Sequence, residues 1–229
     1  PRNANRMEDR DVYGRIKKVW EYTSDTYRFA TSYNYDPLGN LTEIIDSTGA
    51  SQGTTTTIIY DALSRKKEMR DKDMGTWTYE YDLNGNLERQ TDAKLQTVIF
   101  EYDALNRLKK KDFPSGTDTV YAYDDPTCGE AIGRLSKITD SSGLTVLYYD
   151  NEGRVYRTRK LIDGVNYNIY HTYDALGRVK SIKYPDNETV AYTYDTGGNL
   201  SAVGGYATFP DAAYDALGQP GRISYGNGV

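Results

Sequence analysis

The sequence predicts an all-β protein: tandem β-hairpin repeats of about 20–26 residues forming a curved antiparallel sheet. Three observations carry the prediction. The dipeptide Tyr-Asp recurs at Tyr35-Asp36, Tyr60-Asp61, Tyr81-Asp82, Tyr102-Asp103, Tyr123-Asp124, Tyr149-Asp150, Tyr173-Asp174, Tyr194-Asp195 and Tyr214-Asp215. A large side chain stands two residues before most of these tyrosines, which is the period of a strand. A glycine or a substitute for it stands three residues after most of the aspartates, which is the requirement of a tight hairpin loop.

The strand entering each motif comes first. The positions two before the motif tyrosine are Tyr33, Ile58, Tyr79, Phe100, Tyr121, Leu147, His171, Tyr192 and Ala212. Between the two lie polar or small residues such as Glu80, Glu101, Thr172 and Thr193, so one face is apolar and the other wet.

The loop follows. After Asp and two variable residues come Gly39, Ser64, Gly85, Asn106, Gly153, Gly177, Gly198 and Gly218. A three-residue loop is a type I turn followed by one residue at positive φ, which glycine adopts freely and asparagine tolerates. Ser64 is the strained copy. The Asp before the loop can accept hydrogen bonds from the loop amides.

Across the hairpin, Asp should face Arg65, Arg107, Arg154 or Arg178 in some copies and Asn40, Asn86 or Asn199 in others. One step out, the tyrosine should face Leu41, Leu87, Leu108, Val155, Val179 or Leu200. The two variable loop positions, often Ala-Leu, carry no requirement of their own.

Second turns at "DSTG", "DMG", "FPSG", "DSSG" and "YPDN" return the chain, so the whole of residues 1–229 reads as a single array of about ten repeats with no separate catalytic domain. "RDVYGRI" from Arg10 is a worn first copy. The longer "YDDPTCGEAIGRL" and "YDALGQPGRI" should lengthen a hairpin tip and leave the register intact. The final "RISYGNGV" reads as the start of a further unit. About twenty strands at ~4.8 Å spacing would span roughly 95 Å, and strand twist should curl so wide a sheet.

Composition narrows the function classes. The 229 residues include 23 Tyr against 4 Phe and 2 Trp, which favours half-wet sheets over a thick dry interior. Mean hydropathy is −0.74, yet the abundance of Tyr, Thr, Val and Ile argues for order. The 28 basic and 33 acidic residues are interleaved, so neither nucleic acid nor an anionic membrane is an expected partner. The single cysteine, Cys128, excludes an internal disulfide and is read as a buried or loop thiol. No apolar stretch has the length of a membrane helix, and a chain starting at Pro1 reads as an excised or processed piece.

The register-faithful string of "YDxxGRL" motifs, with aromatic-x-Tyr-Asp ahead and "YPDN" or "FPSG" between, resembles the RHS or YD-repeat family over about residues 10 to 229. The resemblance implies a sheet wound into a spiral hollow shell. Bacterial relatives use it to enclose a polymorphic toxin or the toxic part of an insecticidal toxin complex, and the animal teneurins carry a similar barrel for adhesion. It implies as partners the remainder of the shell and an enclosed C-terminal toxin cargo, and a secreted or cell-surface location. An autoproteolysis motif of the family type is approximated by "DPLGNL" at Asp36, which lies in repeat register and reads as a turn.

No catalytic residue, metal site or cofactor is expected. His171, in "YHTYD", stands where other copies have a wall residue and has no second His or Cys to form a dyad. "DKDMG" at 71 is the nearest approach to a calcium loop and reads as a turn. The tyrosine rows leave an alternative function open, an adhesive or carbohydrate-binding surface. Exposed sheet edges should also favour edge-to-edge self-association.

Overall fold

The computed structural model describes residues 6–24, 27–48, 53–210, 214–215 and 217–227. The chain forms two compact units, residues 1–116 and 117–229.

Unit 1 is a ten-strand antiparallel meander: β1 (Arg6–Arg10), β2 (Ile16–Ser24), β3 (Tyr27–Tyr35), β4 (Leu41–Thr48), β5 (Thr54–Tyr60), β6 (Lys66–Asp71), β7 (Gly75–Tyr81), β8 (Leu87–Thr91), β9 (Thr97–Tyr102) and β10 (Leu108–Asp112). Each strand pairs with the next one in the chain.

Unit 2 repeats the plan with β11 (Thr119–Tyr123), β12 (Leu135–Asp140), β13 (Gly143–Tyr149), β14 (Val155–Ile162), β15 (Val165–Tyr173), β16 (Val179–Lys183), β17 (Thr189–Tyr194), β18 (Leu200–Val203), β19 (Ala207–Thr208) and β20 (Ser224–Tyr225). These too pair successively and antiparallel. A short 3-10 helix, Pro126–Cys128, lies between β11 and β12.

Six motif tyrosines face the residue expected. Tyr35 pairs with Leu41, Tyr81 with Leu87, Tyr102 with Leu108, Tyr149 with Val155, Tyr173 with Val179 and Tyr194 with Leu200. One residue further out the register shifts in every one of these hairpins. Asn34 faces Glu43 and Tyr33 faces Ile44, so Thr42 is an extra residue and Leu41 and Ile44 share a face. Such a bulge twists the strand and turns a spacing of three into one-sidedness.

The two faces differ in chemistry. In unit 1 the face bearing the motif tyrosines also carries Tyr33, Ile44, Ile58, Met69, Trp77, Tyr79 and Phe100, by the register of successive pairs. The opposite face sets Glu80 against Arg89 and Glu101 against Lys110. Burial along β7 alternates residue by residue, as a one-sided strand requires.

Deep burial is rare. In unit 1, Val19 and Ala30 are the buried hydrophobics among the described residues. Unit 2 holds a cluster of Cys128, Ala131, Val146 and Tyr149, against which Leu144, Leu147, Tyr148 and Val155 pack. The cluster exists because the inserted "DPTCGEAI" does not project as a lengthened tip. Asp125 caps the 3-10 helix by accepting from the Thr127 amide, and Gly129 then bridges to Tyr149 beside the sheet. Cys128 is therefore buried inside this fold-back.

The last copy also departs from expectation. Its tip is of ordinary size, closed by Asp215 N–H to Gln219 O at 3.0 Å and Gly218 N–H to Asp215 O at 3.0 Å. The three extra residues therefore fall after the tip. Ser224–Tyr225 pairs with Ala207–Thr208, so "RISYGNGV" supplies a returning strand of this unit and not the first strand of another. Ala212 lies outside the described residues.

Candidate functional site

The recurring motif assembles at the hairpin tips. All eight expected positions have positive φ: Gly39 (90°), Ser64 (60°), Gly85 (89°), Asn106 (59°), Gly153 (73°), Gly177 (79°), Gly198 (88°) and Gly218 (75°). In the Asp61 tip, Asp61 N–H donates to Arg65 O at 2.9 Å and Ser64 N–H to Asp61 O at 3.0 Å. The carboxylate closes the loop from inside, its Oδ1 accepting from the amides of Leu63 and Arg65, each at 2.9 Å. Its Oδ2 takes the Arg65 Nε–H at 2.7 Å.

The same pattern repeats at Asp103 with Arg107, Asp150 with Arg154 and Asp174 with Arg178. Asn40, Asn86 and Asn199 replace the guanidinium with an amide donating to Asp36, Asp82 and Asp195. These aspartates sit below the usual carboxylate range. At Asp61 and Asp103 the main cause is the amide of Arg65 or Arg107, and at Asp36 and Asp82 it is the side chain of Asn40 or Asn86.

The tyrosine joins one repeat to the one before it. Tyr60 Oη–H donates to Leu41 O at 3.0 Å, Tyr81 to Lys66 O at 2.9 Å, Tyr102 to Leu87 O at 2.9 Å, Tyr149 to Leu135 O at 2.7 Å, Tyr173 to Val155 O at 2.7 Å, Tyr194 to Val179 O at 2.9 Å and Tyr214 to Leu200 O at 2.8 Å. Arginines reinforce the joint. Arg65 lies 4.6 Å from the Tyr81 ring centroid, Arg154 4.6 Å from Tyr173 and Arg178 4.1 Å from Tyr194. Each such Arg thus binds the Asp of its own tip and the Tyr of the next, a link absent from the sequence reading because it crosses repeats.

A second pattern links several adjacent tips, although Asn199, which is followed by Gly218, departs from it. Where a tip carries Arg15, Arg65, Arg154 or Arg178, the positive-φ residue of the next motif tip is Gly39, Gly85, Gly177 or Gly198, and a Cβ there would lie 3.5–3.8 Å from the guanidinium. Where it carries Asn40 or Asn86, the next is Ser64 or Asn106, whose side chain accepts from the amide at 3.0 or 2.9 Å. The long cation fills the space above the next tip, and the short amide leaves room for a partner.

In a double-mutant cycle, Asn40→Arg is expected to destabilise the Ser64 background and be relieved by Ser64→Gly, with a coupling of about 0.5–1 kcal/mol. Additive melting shifts would contradict the pattern.

The Tyr123-Asp124 tip is the variant. Tyr123 pairs with Leu135, Asp124 has φ 62°, and its Oδ1 accepts from Gly133 N–H at 2.6 Å. Beside it Lys137 Nζ lies 2.5 Å from Asp125 Oδ2. Lys137, aided by Thr127, holds the Asp125 carboxyl down to about 2.

A carboxyl whose folded pKa lies below its ordinary 3.8 adds stability above that value and loses it as pH falls toward about 2. Asp125→Asn should therefore flatten the fall of Tm between about pH 4 and pH 2. A slope identical to the wild type would contradict this.

Other candidate groups are built into the wall. His171 lies on the tyrosine face opposite Ile182, and burial pushes its pKa down, favouring the neutral ring. Asp71 closes its turn by accepting from the amides of Asp73 and Met74, each at 2.9 Å. Among the described residues no group of three or more His, Cys, Asp or Glu is placed to hold a metal. No helix among them is long and apolar enough to cross a membrane.

The sequence matches the family described as Teneurin YD-shell over residues 2–126 and the RHS Repeat over residues 173–205. The fold matches the crystal structure of TcdB2-TccC3 with a TM-score of 0.70 and 18% identity, over 96% of this chain and 13% of that one. TcdB2-TccC3 without its hypervariable C-terminal region gives 0.70 and 18%, over 100% and 13%. The Photorhabdus luminescens Tc holotoxin pore gives 0.68 and 17%, over 99% and 13%. This chain therefore spans 13% of the length of the chains it matches.

Proposed function

The chain belongs to the teneurin YD-shell family, and from that premise we propose that it is a segment of a non-enzymatic RHS shell that encloses a toxin or effector cargo for delivery. The observation that carries the reading is how the motif residues are used. Tyr binds a neighbouring backbone carbonyl, Asp closes the loop, and Arg joins the two, so the repeated chemistry is consumed in building the wall. Such nearest-neighbour joints let an array extend by adding repeats.

The likeness of fold to TcdB2-TccC3, which has a hypervariable C-terminal region, supports a cargo carried on the same polypeptide. A secreted or cell-surface location accords with that role. The test is limited proteolysis of the intact polypeptide bearing this array. The cargo segment should resist cleavage until the wall is denatured. Cleavage at equal rates in native and denatured states would overturn the reading.

One observation favours a second reading, contact with carbohydrate. A cleft of about 560 Å³ in unit 2 is lined by Tyr184, Pro185, Asp186, Glu188, Val190 and Tyr206, combining aromatic rings with carboxylates that can accept from sugar hydroxyls. Glycan-array binding lost in Tyr206→Ala would support it, and an empty array would end it.

A further inference from the structure

One face of unit 2 carries positive charge that its own strands do not offset. By the register of successive pairs, the face opposite the motif tyrosines holds Lys137, Arg157, Arg159 and Lys183. Asp140 is the one carboxylate on β12 to β16, and it lies on the tyrosine face with Ile138. Lys137 is taken by Asp125. Among the described residues no carboxylate pairs with Arg157, Arg159 or Lys183. The corresponding face of unit 1 is balanced, with Glu80 against Arg89 and Glu101 against Lys110.

The two arginines are also prepared to accept a partner. Arg157 lies 4.7 Å from the Tyr148 ring centroid and 5.6 Å from that of Tyr170. Its Nε and Nη2 donate to Asn168 Oδ1 at 3.1 and 2.9 Å. An amide oxygen carries no charge, so the guanidinium is oriented without being neutralised, and Nη1 is left to donate elsewhere. Arg159 buries its Nε with no acceptor, a donor that costs free energy until one reaches it. Arg157 and Arg159 are two residues apart along β14, about 7 Å, and Lys183 lies two strands from Arg157, about 10 Å.

We propose that this face of unit 2 is a docking site for an extended acidic peptide segment, with carboxylates at alternate residues seated on Arg157 and Arg159 and a further one near Lys183. Alternate side chains of an extended chain recur on one side every ~7 Å, which is the spacing of the two arginines. The planar fork of arginine matches a carboxylate with two parallel hydrogen bonds. Asn168 keeps its amide hydrogens for a peptide carbonyl. A long polyanion is a poorer fit, because it draws its affinity from many cations and the net charge of −5 opposes its approach. Closing a wall covers rims and strand edges but leaves both sheet faces open, so the inference holds whichever face looks inward.

The experiment measures fluorescence anisotropy of a short labelled peptide that alternates glutamate with serine, against the same peptide with glutamine in place of glutamate. The chain should bind the glutamate peptide at least tenfold more tightly. A variant carrying Arg157→Gln and Arg159→Gln should lose that preference, and Arg70→Gln in unit 1 should keep it, with circular dichroism checking the sheet in each. No binding, no preference for glutamate, or a preference that survives in the double variant would overturn the proposal. An oligothymidylate of equal charge bound more tightly than the peptide would overturn it in favour of nucleic acid.

A second measurement uses the unaltered chain and stands if the double variant unfolds. The glutamate peptide should slow phenylglyoxal modification of Arg157 and Arg159, read by mass spectrometry, and leave the rate at Arg70 unchanged. Equal rates with and without the peptide, or equal slowing at Arg70, would overturn the proposal.

Discussion

Replacing Tyr149 with alanine is expected to lower the stability of unit 2 by about 3–5 kcal/mol, the range for removing a buried aromatic ring. Tyr149 is the motif tyrosine buried in the Cys128 cluster, and its hydroxyl donates to Leu135 O at 2.7 Å. The substitution removes packing on one side and a backbone hydrogen bond on the other. Tyr149→Phe separates the two losses. It keeps the ring and removes the hydrogen bond to Leu135 O, which should cost about 1 kcal/mol.

Tyr167→Ala, at a more exposed position of the same unit, is the control and should fall within about 0.5 kcal/mol of the wild type. Both tryptophans, Trp20 and Trp77, lie in unit 1, so amide hydrogen exchange in β12 to β14 is the suitable readout. Equal protection in Tyr149→Ala and Tyr167→Ala would show that the cluster does not hold the unit together.

The second large effect is expected at Gly129. A Cβ at this residue would lie 2.2 Å from Tyr149 O, and its φ is 78°. Gly177 has nearly the same φ, 79°, but the nearest atom to a Cβ there is Arg154 Nη1 at 3.8 Å. Gly177→Val should therefore lose only the cost of positive φ, about 1–2 kcal/mol.

Gly129→Val adds a collision with backbone that can be relieved only by moving the fold-back off the sheet. Its loss should exceed that of Gly177→Val by about 2 kcal/mol or more, with Cys128 becoming reactive to a thiol reagent. Equal losses and an unreactive thiol would mean that the insertion is not seated by Gly129.

These effects separate what the sequence made legible from what it hid. The tip was legible because its requirements are local. Asp174 and Gly177 are three residues apart, and the loop needs no other part of the chain. The pairing of Tyr173 with Val179 followed from the loop length alone.

The bulge in the returning strand was less visible, because Leu41 and Ile44, which share a face, are three residues apart and the period of two describes only the strand that enters the motif. That spacing recurs at Leu135 and Ile138 and at Val179 and Ile182, and was the available signal. The placing of Arg15, Arg65, Arg154 and Arg178 before Gly, and of Asn40 and Asn86 before Ser64 and Asn106, was also written in the chain. It lay one tip apart, where comparison of aligned single repeats does not look.

The fold-back at Cys128 was misread for a different reason. Eight residues without periodicity look like a loop, and loops are expected at the surface. Small Ala131 and the Asp-Pro start of the 3-10 helix were the signs that this segment packs.

The central claim is that this array is a stretch of enclosing wall. It is tested most directly by electron microscopy of the intact polypeptide that carries it, at a resolution that resolves strands. These repeats are expected in a closed hollow wall with further polypeptide density inside. An open ribbon of repeats enclosing nothing, with the rest of the polypeptide folded outside it, would contradict the claim.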